Sequence, residues 1–341
     1  MLSVLIGVAL IFDFLNGFHD SSNIVATVIS SHALRPRYAL LMTAAAEFVA
    51  PFLFGVAVAT TIGRGLIDPG AISTIVAITA VLAAVLWNIF TWLIGMPSSS
   101  SHALVGGLLG AAILASGLQV IHLSGLVKIL LALFLSPLIG LLFGLASMAL
   151  TLRIFQNASP RINNVFRRLQ ILTSLSLALS HGTNDAQKTM GIITMGLVAS
   201  GYQQTFHVPF WVISISAGAL ALGAALGGWR LIRTLGGRIY KIRPVHAFTS
   251  QAASAFVILG AALLGGPVST TQVVSSSIMG VGAAERVSKV RWNVAQNMLV
   301  TWILTIPATA ITAAIIYLLL KNFMAVLEIG PIFIPWGGLC P

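Results

Sequence analysis

The sequence contains very little charge for its length. Only 7% of its 341 residues are charged, whereas 57% are hydrophobic and the mean hydropathy is +1.00. A soluble domain usually has roughly 25% charged residues, so the composition excludes an ordinary soluble protein. Because one membrane crossing needs about 20 apolar residues, the length allows about eight to ten membrane segments.

Cysteine and acidic residues are also scarce. The single cysteine, Cys340, lies at the C-terminal end, which excludes an internal disulfide framework. The sequence has seven Asp and Glu residues but 18 Lys and Arg residues, so its net charge is +11. Basic loops mark the cytoplasmic side of membrane proteins, so this charge indicates topology rather than nucleic-acid binding. The N-terminal stretch has no basic n-region or cleavage pattern and predicts a first membrane helix.

Apolar segments alternate with clusters of basic residues. The apolar segments are 1–32, 38–62, 73–117, 126–150, 169–199, 210–228, 247–284 and 292–320. The basic clusters are Arg35/Arg37, Arg153 to Arg168, Arg230 to Arg243 and Arg286 to Arg291. With the clusters in the cytoplasm, segment 73–117 starts and ends outside, and 247–284 starts and ends inside. Each of these two segments therefore holds two helices or a re-entrant hairpin.

Two motifs occur twice, in the same order. Residues 16–23 resemble 181–188, with Asp20 matching Asp185, and residues 97–110 resemble 267–280. The first copy enters the membrane from outside and the second from inside, so the halves have opposite orientation. This is typical of secondary transporters whose site lies between inverted repeats. The predicted fold is an all-α integral membrane protein, an inverted-repeat transporter with broken helices and two re-entrant or short helical hairpins.

The repeat also predicts the division of the chain. We expect a first repeat at 1–152, a basic cytoplasmic linker at 153–168, a second repeat at 169–321 and a tail at 322–341. Segment 1–32 would span about 48 Å as one helix, against a hydrocarbon core of about 30 Å. We therefore expect a helix break near Asn16-Gly17 and a corresponding break at Gly182.

Four of the seven acidic residues lie inside apolar segments: Asp13, Asp20, Glu47 and Asp185. A charge in the bilayer centre costs at least about 2.5–3.5 kcal/mol, so such residues usually face a cavity, an ion or a partner. Asp13 has no mate in the repeat and lies nearer the membrane surface. We therefore assign function first to Asp20 and Asp185, and then to Glu47.

The repeated acidic motif carries potential cation ligands. Asp20 with Asn23, and Asn184 or Asp185 with Lys188, lie three or four residues apart on one helix face. Their carboxylate and amide oxygens suit a hard cation such as Na⁺ or Mg²⁺. Lys188 either neutralises Asp185 or a bound anion, or extends to the membrane interface. His19 and His181, in the same motif, either carry protons near neutral pH or form structural hydrogen bonds.

The second motif predicts two helix starts. A proline, Pro97 or Pro267, is followed by hydroxyl residues, a pattern typical of a helix N-terminus. The first N–H groups of a helix lack backbone acceptors and lie at its positive end, so two such starts could hold a tetrahedral oxyanion. Alternatively, the hydroxyls hydrogen-bond between membrane helices. The candidate anion-binding residues are Ser99, Ser100, Ser101, His102, Ser269, Thr270, Thr271 and Gln272.

Together, the motifs predict a transporter that carries an anion with a cation. Carboxylates beside an anion site are consistent if the anion travels with cations that the carboxylates hold. A serine hydrolase built on Ser101 and His102 is disfavoured, because adjacent residues on a helix do not face each other. The nucleophile pattern G-x-S-x-G is also missing from the sequence. We therefore expect no enzymatic activity.

The repeated motifs resemble those of the inorganic phosphate transporter (PiT) family, in its bacterial low-affinity branch. The matching stretches are NGFHDSSNIVATVI (16–29), GMPSSSSHALVGG (95–107), SHGTNDAQKTMG (180–191) and GGPVSTTQVVSSS (265–277), together with the phrase around Glu47 (47–68). The resemblance covers nearly the whole chain. It implies phosphate transport across the cytoplasmic membrane, driven by Na⁺ or H⁺ and without a further cofactor, and a homodimer is plausible.

The resemblance also implies roles for individual residues. Asp20, Asn23, Asn184 and Asp185 would handle cations, and the hydroxyl residues after the two prolines would handle phosphate. Gln272 departs from the family pattern, which commonly has histidine there. His19 precedes Asp20 where many sodium-coupled relatives have Asn, so Na⁺ and H⁺ both stay open. Some relatives carry sulfate, which stays an alternative substrate.

Overall fold

The chain folds into long, closely packed helices. The computed structural model describes residues 1–67, 73–228, 232 and 242–328. This part contains eleven α-helices and two short 3₁₀ helices, Leu118–Val120 and Val287–Lys289. The α-helices are α1 Leu2–Ser30, α2 Pro36–Phe54, α3 Ala57–Gly65, α4 Thr74–Ile94, α5 Ser100–Ser116, α6 Leu123–Ile154, α7 Ile162–Ala199, α8 Phe210–Leu226, α9 Pro244–Leu263, α10 Thr270–Glu285 and α11 Trp292–Glu328.

Six of the helices in the described ranges are long and apolar enough to cross a membrane: α1, α2, α4, α6, α9 and α11. The central helix α7 is longer still, with 38 residues. The prediction of an all-α, multi-pass membrane protein is therefore confirmed.

The two halves of the chain are built alike and packed into each other. α1 packs against α8 of the second half, and its counterpart α7 packs against α2 of the first half. In the same way, α5 packs against α11, and its counterpart α10 packs against α6. The helices α1, α2, α7 and α8 therefore form a central bundle, with the two hairpin units on either side. This exchange of partners fits the predicted inverted repeat.

The predicted helix breaks near Asn16-Gly17 and at Gly182 are wrong, because α1 and α7 run through these positions without interruption. Both glycines instead make room for a neighbouring helix. A Cβ atom on Gly17 would lie 2.0 Å from the Leu220 carbonyl oxygen, and one on Gly182 would lie 2.7 Å from the Glu47 backbone. Glycine is common at such close contacts between membrane helices.

The helix breaks occur elsewhere. Segment 38–62 is divided between α2 and α3 at Gly55, whose φ of 81° favours glycine. Segments 73–117 and 247–284 each hold two helices, as predicted, with turns at Gly95 and Gly265 that also have positive φ. The second helix of each hairpin, α5 or α10, has 17 or 16 residues and spans only about 25 Å.

The predicted domain boundaries, 152/153, 168/169 and 321/322, lie inside α6, α7 and α11. α6 ends at Ile154 and α7 begins at Ile162, so helical residues lie at both ends of the predicted linker 153–168. α11 extends into the predicted tail as far as Glu328. Residues 329–341, including Cys340, lie outside the described residues, as does most of the basic cluster Arg230 to Arg243.

Candidate ion and phosphate site

The two repeated aspartates meet in the centre of the molecule. Asp20 on α1 and Asp185 on α7 are both fully buried. The His181 ring lies between them, with Nε2 at 3.8 Å from Asp20 Oδ2 and 3.5 Å from Asp185 Oδ2. One ligand atom from each of the three residues lies within 4.8 Å of the others, a grouping that could hold a metal ion.

Glu47 approaches the same cluster from α2. Its Oε1 lies 2.8 Å from His181 Nδ1, and its side chain is fully buried. Glu47 is therefore connected to the two aspartates through the imidazole ring of His181. None of the hydrogen bonds in the described part of the chain joins Glu47 to the hydroxyl residues of the hairpins.

Asp20 is held by its neighbours through one of its two oxygens. Thr271 donates a hydrogen bond to Asp20 Oδ1 at 3.0 Å, and His19 Nδ1 lies 2.8 Å from the same atom. Asn23 does not contact Asp20 directly, since its amide donates to the Thr271 hydroxyl at 3.0 Å. Asp20 and Asn23 therefore share Thr271, which lies in the first turn of α10.

Asp185 has donors on both of its oxygens. The Lys188 ammonium donates to Oδ1 at 2.8 Å, and the Asn16 amide donates to Oδ2 at 3.0 Å. The Thr270 hydroxyl makes a longer contact with Oδ2, at 3.4 Å. Lys188 is fully buried, so its side chain does not extend to the membrane interface. Asn184 instead makes a long contact, 3.4 Å, to the Gly266 carbonyl in the turn before α10.

Several buried oxygen atoms around this cluster have no hydrogen-bond donor among the described residues. They are Asp20 Oδ2, Asn23 Oδ1, Asn16 Oδ1, Asn184 Oδ1 and Glu47 Oε2. A buried oxygen without a donor is costly in an apolar environment. Carboxylate and amide oxygens are the ligands of hard cations such as Na⁺ or Mg²⁺, so the donor set fits a cation of this kind.

The two predicted helix starts lie against each other. The Ser101 hydroxyl at the start of α5 donates to the Val268 carbonyl, next to the start of α10, at 2.9 Å. The Gln272 amide nitrogen lies 3.5 Å from both ring nitrogens of His102. All eight predicted anion-binding residues are buried. The positive ends of α5 and α10 are therefore brought together inside the molecule.

The hydroxyl residues at the two helix starts differ in their hydrogen-bond partners. Ser99 and Ser269 are N-caps, whose oxygens accept hydrogen bonds from the backbone N–H groups of His102 and Gln272. Thr270 and Thr271 of α10 contact the two aspartates, as given above. None of the described hydrogen bonds joins Ser99, Ser100 or Ser101 to either aspartate, so α10 approaches the carboxylates more closely than α5.

The structure also reveals contacts that the sequence reasoning missed. Asn16 holds Asp185, and its position in the repeat, as the mate of His181, could have indicated this. Gln187 bridges the break between α2 and α3: its Oε1 accepts from the Val58 N–H at 2.7 Å, and its amide donates to the Gly55 carbonyl at 2.6 Å. Asp13 accepts a 2.6 Å hydrogen bond from Thr189, the residue after Lys188.

The serine hydrolase alternative receives no support from this geometry. Ser101 donates to a carbonyl oxygen and is not paired with His102. The ring of His102 instead contacts Ser99, at 2.7 Å, whose oxygen also caps α5. The hydroxyl closest to the imidazole therefore supports the helix start.

Comparison with known proteins identifies the family. The model described as "Phosphate transporter family" matches residues 16–313. A protein of Rhizobium meliloti named "Probable low-affinity inorganic phosphate transporter" is 45% identical over 92% of this chain and 94% of its own length. A Bacillus subtilis protein of the same name is 44% identical, over 94% of this chain and 98% of its own.

A solved structure has the same architecture. "The sodium-dependent phosphate transporter" superposes with a TM-score of 0.85, covering 94% of this chain and 99% of its own, at 25% sequence identity. These relatives are transporters and not enzymes. From its helical architecture, its repeated motifs and these matches, this chain belongs to the phosphate transporter family.

Proposed function

We propose that the protein carries inorganic phosphate across the cytoplasmic membrane together with a cation, by alternating access. The observation that carries this proposal is the meeting of two helix N-termini, those of α5 and α10, beside a pair of buried carboxylates. Neither feature alone would require coupled transport. Their contact, through Thr270 and Thr271, supports an anion site next to a cation site.

The helix starts supply the anion site. Backbone N–H groups in the first turns of α5 and α10 lack carbonyl acceptors within their helices, and the helix dipoles make these ends positive. A phosphate between them would also be close to the hydroxyls of Ser100, Ser101, Thr270 and Thr271. Such a site needs no arginine, which matches the uncharged character of both motifs.

The carboxylates supply the coupling. A phosphate beside Asp20 and Asp185 is repelled by their negative charges in a buried site where solvent screening is weak. A cation bound to the carboxylates removes this repulsion, and the bound phosphate in turn favours the cation. Because coupling between two ligands is reciprocal, each one then promotes binding of the other.

Na⁺ is the coupling ion that we propose first. The unpartnered oxygens of Asp20, Asn23 and Asn184 are hard ligands, and the similar solved structure is titled sodium-dependent. Proton coupling is the competing mechanism, because His19 and His181 both contact Asp20. The exchange of helices between the halves supports alternating access, since each hairpin packs on the long last helix of the other half.

Uptake by purified protein in liposomes tests the proposal. Radiolabelled phosphate is supplied under separately imposed Na⁺ and H⁺ gradients, with unlabelled sulfate as competitor. We expect uptake that follows the Na⁺ gradient, resists sulfate and, at the Na⁺ concentration that half-saturates the wild type, falls to a few per cent or less in Asp20→Asn. Glu285→Gln is the matched control, because Glu285 pairs with His246 and Lys289 away from the site. Sulfate uptake without phosphate uptake would overturn the substrate, and phosphate uptake that follows neither gradient would overturn the coupling.

A further inference from the structure

The repeat places a lysine where the other half has an asparagine. The segment around Asp20 aligns with the segment around Asp185 without a gap, so Asn16 corresponds to His181 and Asn23 corresponds to Lys188. Asn23 and Lys188 each lie three residues after the aspartate of their own half, on the same face of their helix. One half therefore offers a neutral amide oxygen where the other offers an ammonium group.

The ammonium group of Lys188 lies where a cation bound to Asp185 would lie. Its nitrogen is 2.8 Å from Asp185 Oδ1, and the whole side chain is buried. Asp185 Oδ2 has the donors Asn16 and Thr270, so neither oxygen of Asp185 lacks a partner. The corresponding atoms of the first half differ: Asp20 Oδ2 and Asn23 Oδ1 have no hydrogen-bond donor in the described part of the chain.

We propose that Lys188 is a built-in cation, which permanently fills the Asp185 half of the site and leaves the Asp20 half for the transported cation. This inference rests on the proposed function. A buried ammonium neutralises one carboxylate without being released, whereas an ion from solution neutralises the other only while it is bound. The protein therefore carries one fewer cation per phosphate than a carrier with two amide-type half-sites.

Replacing the lysine by its repeat mate tests this directly. Lys188→Asn leaves Asp185 without its partner and supplies an amide oxygen in the position of the first half. We expect this variant to gain a Na⁺ site, so that the ratio of ²²Na⁺ to ³²P-phosphate taken up by proteoliposomes rises by one ion. We also expect Na⁺ to raise its thermal unfolding temperature more than that of the wild type.

Lys188→Met is the matched control, since it removes the charge but offers no oxygen ligand. We expect it to gain no Na⁺ stabilisation beyond that of the wild type. A folded Lys188→Asn variant that transports phosphate with an unchanged ion ratio and gains no extra Na⁺ stabilisation overturns the proposal. Wild-type phosphate uptake, measured in parallel, shows separately whether the proposed function holds.

A second variant keeps the proposal testable if Lys188→Asn does not fold. Asp185→Asn with Lys188→Asn removes both charges of the pair and leaves no buried charge unpaired. We expect slower phosphate uptake with the wild-type ratio of cation to phosphate, because Asp185 held no transported cation. A ratio lowered by one ion would mean that Asp185 binds a transported cation, which would overturn the proposal.

Discussion

The half-sites around Asp20 and Asp185 have the same backbone and different chemistry. Each aspartate lies in a long helix, α1 or α7. A glycine in that helix, Gly17 or Gly182, allows close packing of a helix from the other half. Around Asp185, an ammonium group and an amide satisfy both carboxylate oxygens. Around Asp20, one oxygen is held by Thr271 and His19, and the other lacks a hydrogen-bond donor in the described ranges of the chain.

A second difference lies on the helices that pack against the two glycines. Glu47 on α2 lies against Gly182, and Leu220 on α8 lies against Gly17. Only the first of these positions therefore carries a carboxylate, which reaches His181. The two halves therefore have similar helix packing around the aspartates and different side chains next to them.

The largest expected effect is on cation affinity at the half-site around Asp20. Asp20→Asn removes the repeated aspartate whose Oδ2 lacks a hydrogen-bond donor among the described residues, and with it the charge that attracts the cation. A charge pair at about 4 Å is worth about 4 kcal/mol at an effective dielectric constant of 20. We therefore expect the cation concentration for half-maximal phosphate uptake to rise by two to three orders of magnitude. Unchanged cation dependence in a folded variant would contradict this assignment.

The next largest effect is on stability at the half-site around Asp185, where Lys188 pairs with the carboxylate. Lys188→Met leaves Asp185 with an uncompensated buried charge, and breaking such a pair costs about 3–5 kcal/mol. Asn23 is the residue of the first repeat that corresponds to Lys188. Asn23→Met removes its amide hydrogen bond to Thr271, and we expect a loss of about 1–3 kcal/mol in stability. Thermal unfolding in detergent compares the two variants. A larger loss for Asn23→Met would show that Lys188 does not hold the second half-site together.

A smaller effect tests the shared scaffold. Gly17→Ala and Gly182→Ala each push a methyl group into the backbone of the neighbouring helix, at 2.0 and 2.7 Å. We expect losses of about 1–3 kcal/mol, the larger at Gly17. Gly218→Ala is the control, because a Cβ atom there would meet nothing within 4 Å. Equal unfolding temperatures for Gly17→Ala and Gly218→Ala would contradict the close packing of α1 on α8.

The smallest effect concerns the break between α2 and α3. Gln187→Ala removes hydrogen bonds to Val58, Ala59 and Gly55, which lie next to the break. We expect a loss of about 1–2 kcal/mol in stability, since these buried backbone groups lose their partner. The control is Gln119→Ala, because the Gln119 amide donates to the Ser116 carbonyl at an exposed position. Unfolding temperatures that match would show that the break does not depend on Gln187.

Much of this architecture could be predicted from the sequence. Scarce charge and long apolar segments indicate membrane helices, and two motifs repeated in order indicate two similar halves. The hydroxyl residues after Pro97 and Pro267 indicate the starts of α5 and α10, because N-caps are determined locally.

The rest depends on contacts between distant residues. Gly182 looks like a helix break in the sequence, yet it accommodates α2, whose position depends on the whole bundle. The break at Gly55 could not be predicted locally. The backbone groups next to it hydrogen-bond to Gln187, which lies more than 130 residues away. Likewise, the pairing of Lys188 with Asp185 follows from spacing, but its complete burial follows only from the packing of other helices on α7.

The most direct test of the account is a structure of the protein with phosphate and Tl⁺, a Na⁺ or K⁺ substitute visible by anomalous scattering. We predict phosphate between the N-termini of α5 and α10 and one Tl⁺ against Asp20 and Asn23. The Lys188 ammonium should remain on Asp185, without a metal ion at that carboxylate. A Tl⁺ ion bound to Asp185 with Lys188 displaced, or phosphate bound away from both helix starts, would contradict the account.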